Sequence, residues 1–298
     1  MTPEEVLSHP GKILTQRQRE DYFENGYLLV ESIIPKDVLI RLREVTAEIV
    51  ERSRRLTKSD NVFDLEPAHT ADNPRLRRLS SPVVHHAYYW EFATGLLADI
   101  ASDLVGPNVK FHHSKLNFKW AQGGEEVKWH QDICGWPHTN YSPLTIGCYL
   151  DDVGMDQGPL AVLPGSHNGP LYDERDEQGR WVAALQPSDL AKLDLSRTVY
   201  LPGPAGSLTI HNCRTLHSSK PNLSGLGRPL LLYAYSSADA FTYTANPLPT
   251  PYAGQIIRGD AVKWAHHDPR PCLIPPDYSK GFTSIFAIQQ QEAAPAAM

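Results

Sequence analysis

No C-x-x-C pair occurs in this chain, and its four cysteines, Cys134, Cys148, Cys213 and Cys272, stand too far apart for a zinc ribbon or a disulfide framework. Buried free thiols are what they suggest. No run approaches the roughly 18 apolar residues of a transmembrane helix. The start, Met1-Thr-Pro-Glu-Glu5, has neither the basic nor the apolar region of a signal peptide, so a cytoplasmic protein is expected. Long basic blocks are missing too. Only Arg52-Ser-Arg-Arg55 and Arg75-Leu-Arg-Arg78 come close, and the formal net charge is −6, so no surface is prepared for nucleic acid or anionic lipid.

What remains is the make-up of a soluble globule, 41% hydrophobic and 21% charged, in a chain of 298 residues that can bury a sizeable core. Its 25 prolines and 20 glycines point to many loops and short strands. Thr15-Gln-Arg-Gln18 is a capping box, and the helix it opens should end at Asn25-Gly26. A short strand, Tyr27–Val30, follows. Val38, Leu42, Val45 and Ile49 then recur at helical spacing. Residues 56–82, polar and interrupted by Pro67 and Pro74, read as one long irregular loop, and one helix is expected over Tyr89–Val105.

From Val109 onward the chain breaks into β-type runs: Val109–Phe118, Val127–Ile133, Thr145–Leu150, Leu160–Leu163, Thr198–Leu201, Ser207–Ile210 and Leu230–Tyr235. Helical segments followed by short strands predict a mainly β fold with flanking α-helices. We expect one domain over 1–298, with a helical part over about 10–106 and a β core over about 109–288. A charged insert at 171–196 should be a surface excursion or a lid, and the Ala/Pro/Gln-rich end at 289–298 should fray.

The chemistry centres on Val127–Trp136, where His130 and Asp132 are one residue apart. On a strand, both would face one side and supply two-thirds of a facial metal site. Chance supplies about one His-x-Asp triplet in a chain of this make-up. There are two, and the other is His266-His267-Asp268. That one runs straight into Pro269, which cannot donate to a ladder, and no histidine follows it. A third ligand should come from a distant strand, with His211 and His217 as candidates. Eleven residues after His217, Arg228 heads an apolar run, where a guanidinium can hold a carboxylate that chelates the same metal.

At this point the chain resembles the phytanoyl-CoA dioxygenase-like family of Fe(II)/2-oxoglutarate-dependent dioxygenases. The resemblance rests on Phe23-x-x-Gly26-Tyr27, His130-Gln-Asp132, Leu150-Asp-Asp152, Gly158 to His167, Leu216-His217-Ser-Ser219-x-x-Asn222 and Arg228. It implies a double-stranded β-helix, or jelly roll. It also implies a metal and catalytic centre of His130, Asp132 and His217, with Arg228 and Ser219 on 2-oxoglutarate. In the family a side chain near Lys115 also approaches 2-oxoglutarate, and Asn117 shares its strand face. His167 is implied to be structural.

The resemblance further implies Fe(II) as cofactor, with 2-oxoglutarate and O2 as co-substrates. The expected reaction hydroxylates an unactivated C–H of a small-molecule metabolite and converts 2-oxoglutarate to succinate and CO2. Asp132, in place of a small residue, points to hydroxylation rather than halogenation. Trp136 and Tyr141, in the loop after the metal motif, and Arg78 are candidates to face the substrate. The family often has Trp where this chain has Gly147, so either a wider pocket or a different aromatic is expected there. Monomer and homodimer both stay open. The alternative reading is a non-catalytic or non-redox, cupin-type jelly roll that binds a small ligand.

Overall fold

The computed structural model describes residues 1–278 and 284–290. Helices α1 (Pro3–Ser8) and α2 (Gln16–Asn25) both open on capping boxes, at Thr2 and Thr15. Gly26, at φ +82°, turns the chain from α2 into β1 (Tyr27–Val30). A Cβ on Gly26 would lie 2.4 Å from His167 Nδ1 and 2.7 Å from Thr215 Oγ1, so close packing and handedness both require glycine. His167 itself donates from Nε2 to Phe23 O at 3.0 Å, a structural tie.

Helix α3 (Lys36–Ser53) fully buries Leu42, Val45 and Ile49, each contributing about 1.5–3 kcal/mol. The expected loop at 56–82 instead contains two strands, β2 (Phe63–Leu65) and β3 (Leu76–Ser80). Four of its charged residues, Asp64, Glu66, Arg77 and Arg78, are buried rather than solvated. Arg77 makes a two-pronged contact with Asp64 at 2.8 and 2.9 Å and reaches Glu125 at 3.0 Å, while Leu76 and Leu79 are wholly buried. The expected single helix over Tyr89–Val105 is two, α4 (Ala87–Thr94) and α5 (Leu96–Val105), because Gly95 leaves helical geometry at ψ −116°.

Next come β4 (Val109–Lys119), β5 (Val127–His130), α6 (Asp132–Gly135), β6 (Leu144–Tyr149), β7 (Leu160–Val162), α7 (Pro187–Leu190) and β8 (Val199–Leu201). The described chain closes with β9 (Leu208–Asn212), β10 (His217–Ser219), β11 (Arg228–Ser237), β12 (Ile256–Arg258) and α8 (Ile285–Gln289). The larger sheet runs β1-β9-β6-β11-β4-β3-β2, with β12 also on β4, and the smaller runs β5-β10-β7-β8. Among the described residues every strand pairing is antiparallel. This is the double-stranded β-helix.

Strand β11 shows how the large sheet divides its faces. Leu231, Tyr233 and Tyr235 join the main core with Leu42, Val45, Ile49 and the α4–α5 residues. Tyr233 and Tyr235 also donate to Tyr89 O at 3.1 Å and Ala93 O at 2.9 Å, tying the sheet to α4. By alternation Arg228, Leu230 and Leu232 face the other way, into the space between the sheets. The insert at 171–196 is no mere excursion, since Glu174, Trp181 and Ala183 line an internal cavity. Gln289 is buried, accepting from Lys128 N at 2.8 Å and donating to Ala183 O at 2.7 Å, so fraying does not begin there. The rest of that expectation, over 291–298, lies outside the described residues. All four cysteines are free thiols, three of them buried, and no described helix is long and apolar enough to cross a membrane.

Candidate metal centre

Strand β5 stops at His130, and Asp132 opens the short helix α6, so the two residues do not share a strand face as expected from alternation. The strand-to-helix turn at Gln131 brings them together instead. It is pinned by Ile133 N donating to Cys213 O at 2.9 Å and by Gln131 Nε2 donating to Arg214 O at 2.8 Å. Strand β10 pairs with β5 so that His217 lies directly across from His130. Among the described residues, His130, Asp132 and His217 are the group of His, Cys, Asp and Glu whose ligand atoms lie within 4.8 Å of one another, and all three are buried. Asp132 Oδ1 is 4.0 Å from His130 Nε2 and 3.9 Å from His217 Nε2.

The surrounding contacts suit a divalent metal at that point. His130 Nδ1 donates to Lys128 O at 2.8 Å and His217 Nδ1 to Thr215 O at 2.9 Å, which leaves each Nε2 lone pair free for an ion. Burial lowers the His130 pKa to about 4 and that of His217 well below its usual value, so both rings are neutral at pH 7. Burial would raise the Asp132 carboxyl, but Lys115 and the neighbouring histidines outweigh it and hold the group ionised. Its second oxygen, Oδ2, accepts from Thr145 Oγ1 at 2.8 Å and from His211 Nε2 at 3.2 Å. Nitrogen and oxygen donors without thiolate match Fe(II) and leave positions open for other ligands.

Two cavities of about 60 Å³ each meet at this group and share Lys115, His130, Asp132 and Ile285. One also holds Asn117, Thr145, His211, His217, Ser219 and Arg228. Arg228 is 3% exposed, and among the described residues its Nε and Nη1 have no hydrogen-bond partner, so a buried cation there faces a space that a carboxylate would fill. The other cavity holds Arg78, His113, Trp136, Glu174 and Trp181. Glu174 accepts from Gln131 N at 2.7 Å, and burial raises its pKa to about 8.

The expected residues therefore divide. Lys115, Asn117, Ser219 and Arg228 gather on one side and Arg78 and Trp136 on the other, but Tyr141 is elsewhere. Its ring lies 4.2 Å from Arg214 Cζ and 4.7 Å from Arg270 Cζ and borders a different cavity. Arg78, in a segment expected to be a loop, is 2% exposed because it lies on β3. Neither a wider pocket nor an aromatic stands at Gly147. Leu230, Leu232 and Thr209 occupy the space, and a Cβ there would lie 2.6 Å from Thr209 Oγ1. His113, Glu174 and Trp181 had no sequence signal, since distant segments bring them in. His266 and His267 are exposed, and Asp268 pairs with Arg270.

The model of the phytanoyl-CoA dioxygenase family (PhyH) matches residues 22–230, which include the triad and reach Arg228. The chain belongs to this family. It is an Fe(II)/2-oxoglutarate-dependent dioxygenase with O2 as co-substrate, not a non-redox jelly roll. It is 30% identical over 279 residues to the probable alpha-ketoglutarate-dependent hypophosphite dioxygenase of Stutzerimonas stutzeri, covering 92% of this chain and 96% of that protein. Against the ectoine dioxygenase of Stutzerimonas stutzeri strain A1501 it is 24% identical over 243 residues, 74% of this chain and 76% of the other. Its fold matches the crystal structure of EctD from S. alaskensis with bound Fe at a TM-score of 0.66 and 22% identity, over 89% of this chain and 91% of that one.

Proposed function

We propose that this dioxygenase hydroxylates a small-molecule metabolite at a single centre, with Fe(II) held by His130, Asp132 and His217 and 2-oxoglutarate by Arg228. The observation that carries the reading is the buried Arg228, whose Nε and Nη1 have no hydrogen-bond partner among the described residues, in the same cavity as the triad. A bound metal with 2-oxoglutarate and O2 supplies the oxidising power, and succinate and CO2 leave as products.

The chain's own residues bind and orient. The Nδ1–H bonds of His130 and His217 to backbone carbonyls fix tautomer and ring direction. Thr145 and His211 hold one carboxylate oxygen of Asp132 and turn the other toward the histidines. Arg228 takes the far carboxylate of 2-oxoglutarate through charge-assisted hydrogen bonds, with Ser219 and Asn117 lining the same space and Lys115 at the junction of the two cavities. Trp136 and Arg78 face the substrate. Burial of the whole group keeps water from the reacting atoms.

In this reading residues 1–298 form one catalytic domain, working in the cytoplasm as a monomer or homodimer without a nucleic-acid partner. The named relatives act on different substrates, hypophosphite and ectoine, so family membership does not choose one. The test is succinate release from 2-oxoglutarate across a panel of small molecules, with mass spectrometry of each. The reading expects Fe(II)-dependent succinate formation matched by one added oxygen atom in one compound. Succinate formation without Fe(II), or its persistence in His217→Ala, would count against it.

A further inference from the structure

A cavity of about 300 Å³ lies between α1, α2, the end of α5 and residues 140–142 and 266–270, and it shares no residue with the two cavities at the metal group. Its size falls within the range of small-molecule sites, roughly 300–1,000 Å³. Arg214 borders it and is 5% exposed. The guanidinium donates from Nη2 to Gly169 O and lies 4.2 Å from the Tyr141 ring, while its Nε has no hydrogen-bond partner among the described residues. The carboxylate bordering the cavity, Asp268, is held by Arg270 at 2.7 and 2.8 Å. Burial and then the nearby Arg270 lower the Arg214 pKa, as befits a cation without an adequate counter-charge.

Tyr22, 2% exposed, borders the same cavity, and its Oη has no hydrogen-bond partner among the described residues. Asn212 stands beside it but is already committed, with Nδ2 donating to Tyr141 O at 2.9 Å and Oδ1 accepting from Arg214 N at 3.0 Å. Asn140 is spent in the same way, on Asp239 Oδ1 at 3.1 Å and His266 O at 3.2 Å. The other cations nearby are paired, Arg270 with Asp268 and the Met1 ammonium with Asp239 at 3.0 Å. Burial keeps His167 neutral, and His266 is exposed. What is left over is one positive charge and one hydroxyl donor beside an apolar wall of Val6, Phe23, Leu104 and Val105.

We infer that this cavity is a second ligand site, for a monocarboxylate with a short apolar body. The carboxylate meets Arg214 and the Tyr22 hydroxyl, and the body lies against Val6, Phe23, Leu104 and Val105. One negative charge matches the one uncompensated cation, whereas a phosphate dianion would bring a second charge into the cavity with nothing to pair it. A neutral molecule would leave Arg214 unanswered, and a cation would be repelled. The ligand is bound and not transformed, and the metal group plays no part, so the inference stands apart from the iron reading.

The test is calorimetry on the full chain loaded with Mn(II), with and without saturating 2-oxoglutarate. The probes are phenylacetate and hexanoate, with phenylacetamide and hexanamide as neutral matches, hexylammonium as the cation and inorganic phosphate as the bare anion. At least one carboxylate should bind about tenfold or more tightly than its amide and than phosphate. Its affinity should change less than about threefold when 2-oxoglutarate is added, as expected of separate sites. Arg214→Gln should weaken it by about tenfold or more, with Arg214→Lys in between and Tyr22→Phe causing a smaller loss. Asp268→Asn removes the carboxylate on the wall and releases Arg270, so it should tighten binding, a change that loss of structure does not produce.

If Arg214→Gln does not fold, Arg214→Lys and Asp268→Asn decide, and unchanged carboxylate binding in both overturns the proposal. So does equal binding of the amides or of hexylammonium, phosphate binding as tight as that of the carboxylates, or no binding by either carboxylate. Loss of carboxylate binding when 2-oxoglutarate is added would put the probe at the 2-oxoglutarate site and overturn it as well.

Discussion

His211 Nε2 lies 3.2 Å from Asp132 Oδ2, while the other carboxylate oxygen, Oδ1, is the one near His130 and His217. Thr145 Oγ1 shares that oxygen at 2.8 Å. The two donors leave Asp132 one oxygen and one orientation for a metal. Replacing an outer partner of this kind typically costs about 10–100-fold in metal affinity. We expect that loss in His211→Ala, and a smaller one in Thr145→Val, in Mn(II) titrations followed by electron paramagnetic resonance. Unchanged affinity in both variants would mean that the ligands are oriented by packing alone.

Arg228→Ala should raise the 2-oxoglutarate concentration needed for half-maximal turnover while Mn(II) affinity stays near that of the parent. Each charge-assisted hydrogen bond lost is worth roughly 1.5–3 kcal/mol, about 10–150-fold. Arg228→Lys should recover part of it, because a single ammonium replaces a two-pronged fork. An unchanged 2-oxoglutarate requirement would remove Arg228 from the site.

Gly147→Trp should destabilise the protein. The space is already filled by Leu230, Leu232 and Thr209, and even a Cβ would lie 2.6 Å from Thr209 Oγ1. Overpacking of this kind costs about 1–3 kcal/mol, visible as a lower midpoint in thermal unfolding. A midpoint equal to the parent's would show that the Leu230–Leu232 pair yields more readily than its burial suggests.

The fold and the centre of the site were legible in the sequence for different reasons. Short β-runs after two helical stretches carry the architecture, since a strand's period and a helix's period differ. His217 and Arg228 became readable only together, through spacing and resemblance. What stayed hidden depends on tertiary context. Arg77 looks solvated until Asp64 and Glu125 are seen around it, and β3 was lost for that reason. Glu174 lies in a charged insert with no pattern of its own, and His211 reaches Asp132 Oδ2 from β9, in the other sheet from His217 on β10.

Acid should destabilise the metal-free protein before most carboxylates titrate. Burial lowers the His138 pKa to about 4 and those of His112 and His113 well below 6.5. Above pH 6.5 both folded and unfolded chains carry these rings neutral, so folding is not linked to their protons. Below it the unfolded chain takes up protons that the folded chain refuses, and stability falls as pH drops from 6.5 toward 4. Thermal midpoints of the metal-free protein at pH 7.5, 6 and 5 should decline in that order. A flat profile would contradict the buried neutral assignment.

The central claim is that His130, Asp132 and His217 hold Fe(II) while Arg228 anchors 2-oxoglutarate on it. Anaerobic titration of 2-oxoglutarate into the Fe(II)-loaded protein, followed by visible absorbance, tests it most directly. The parent should develop a charge-transfer band that saturates with 2-oxoglutarate. Asp132→Ala should develop none at the same concentrations, and Arg228→Ala should reach the same band only at much higher 2-oxoglutarate. No band in the parent, or an undiminished band in Asp132→Ala, would contradict the account.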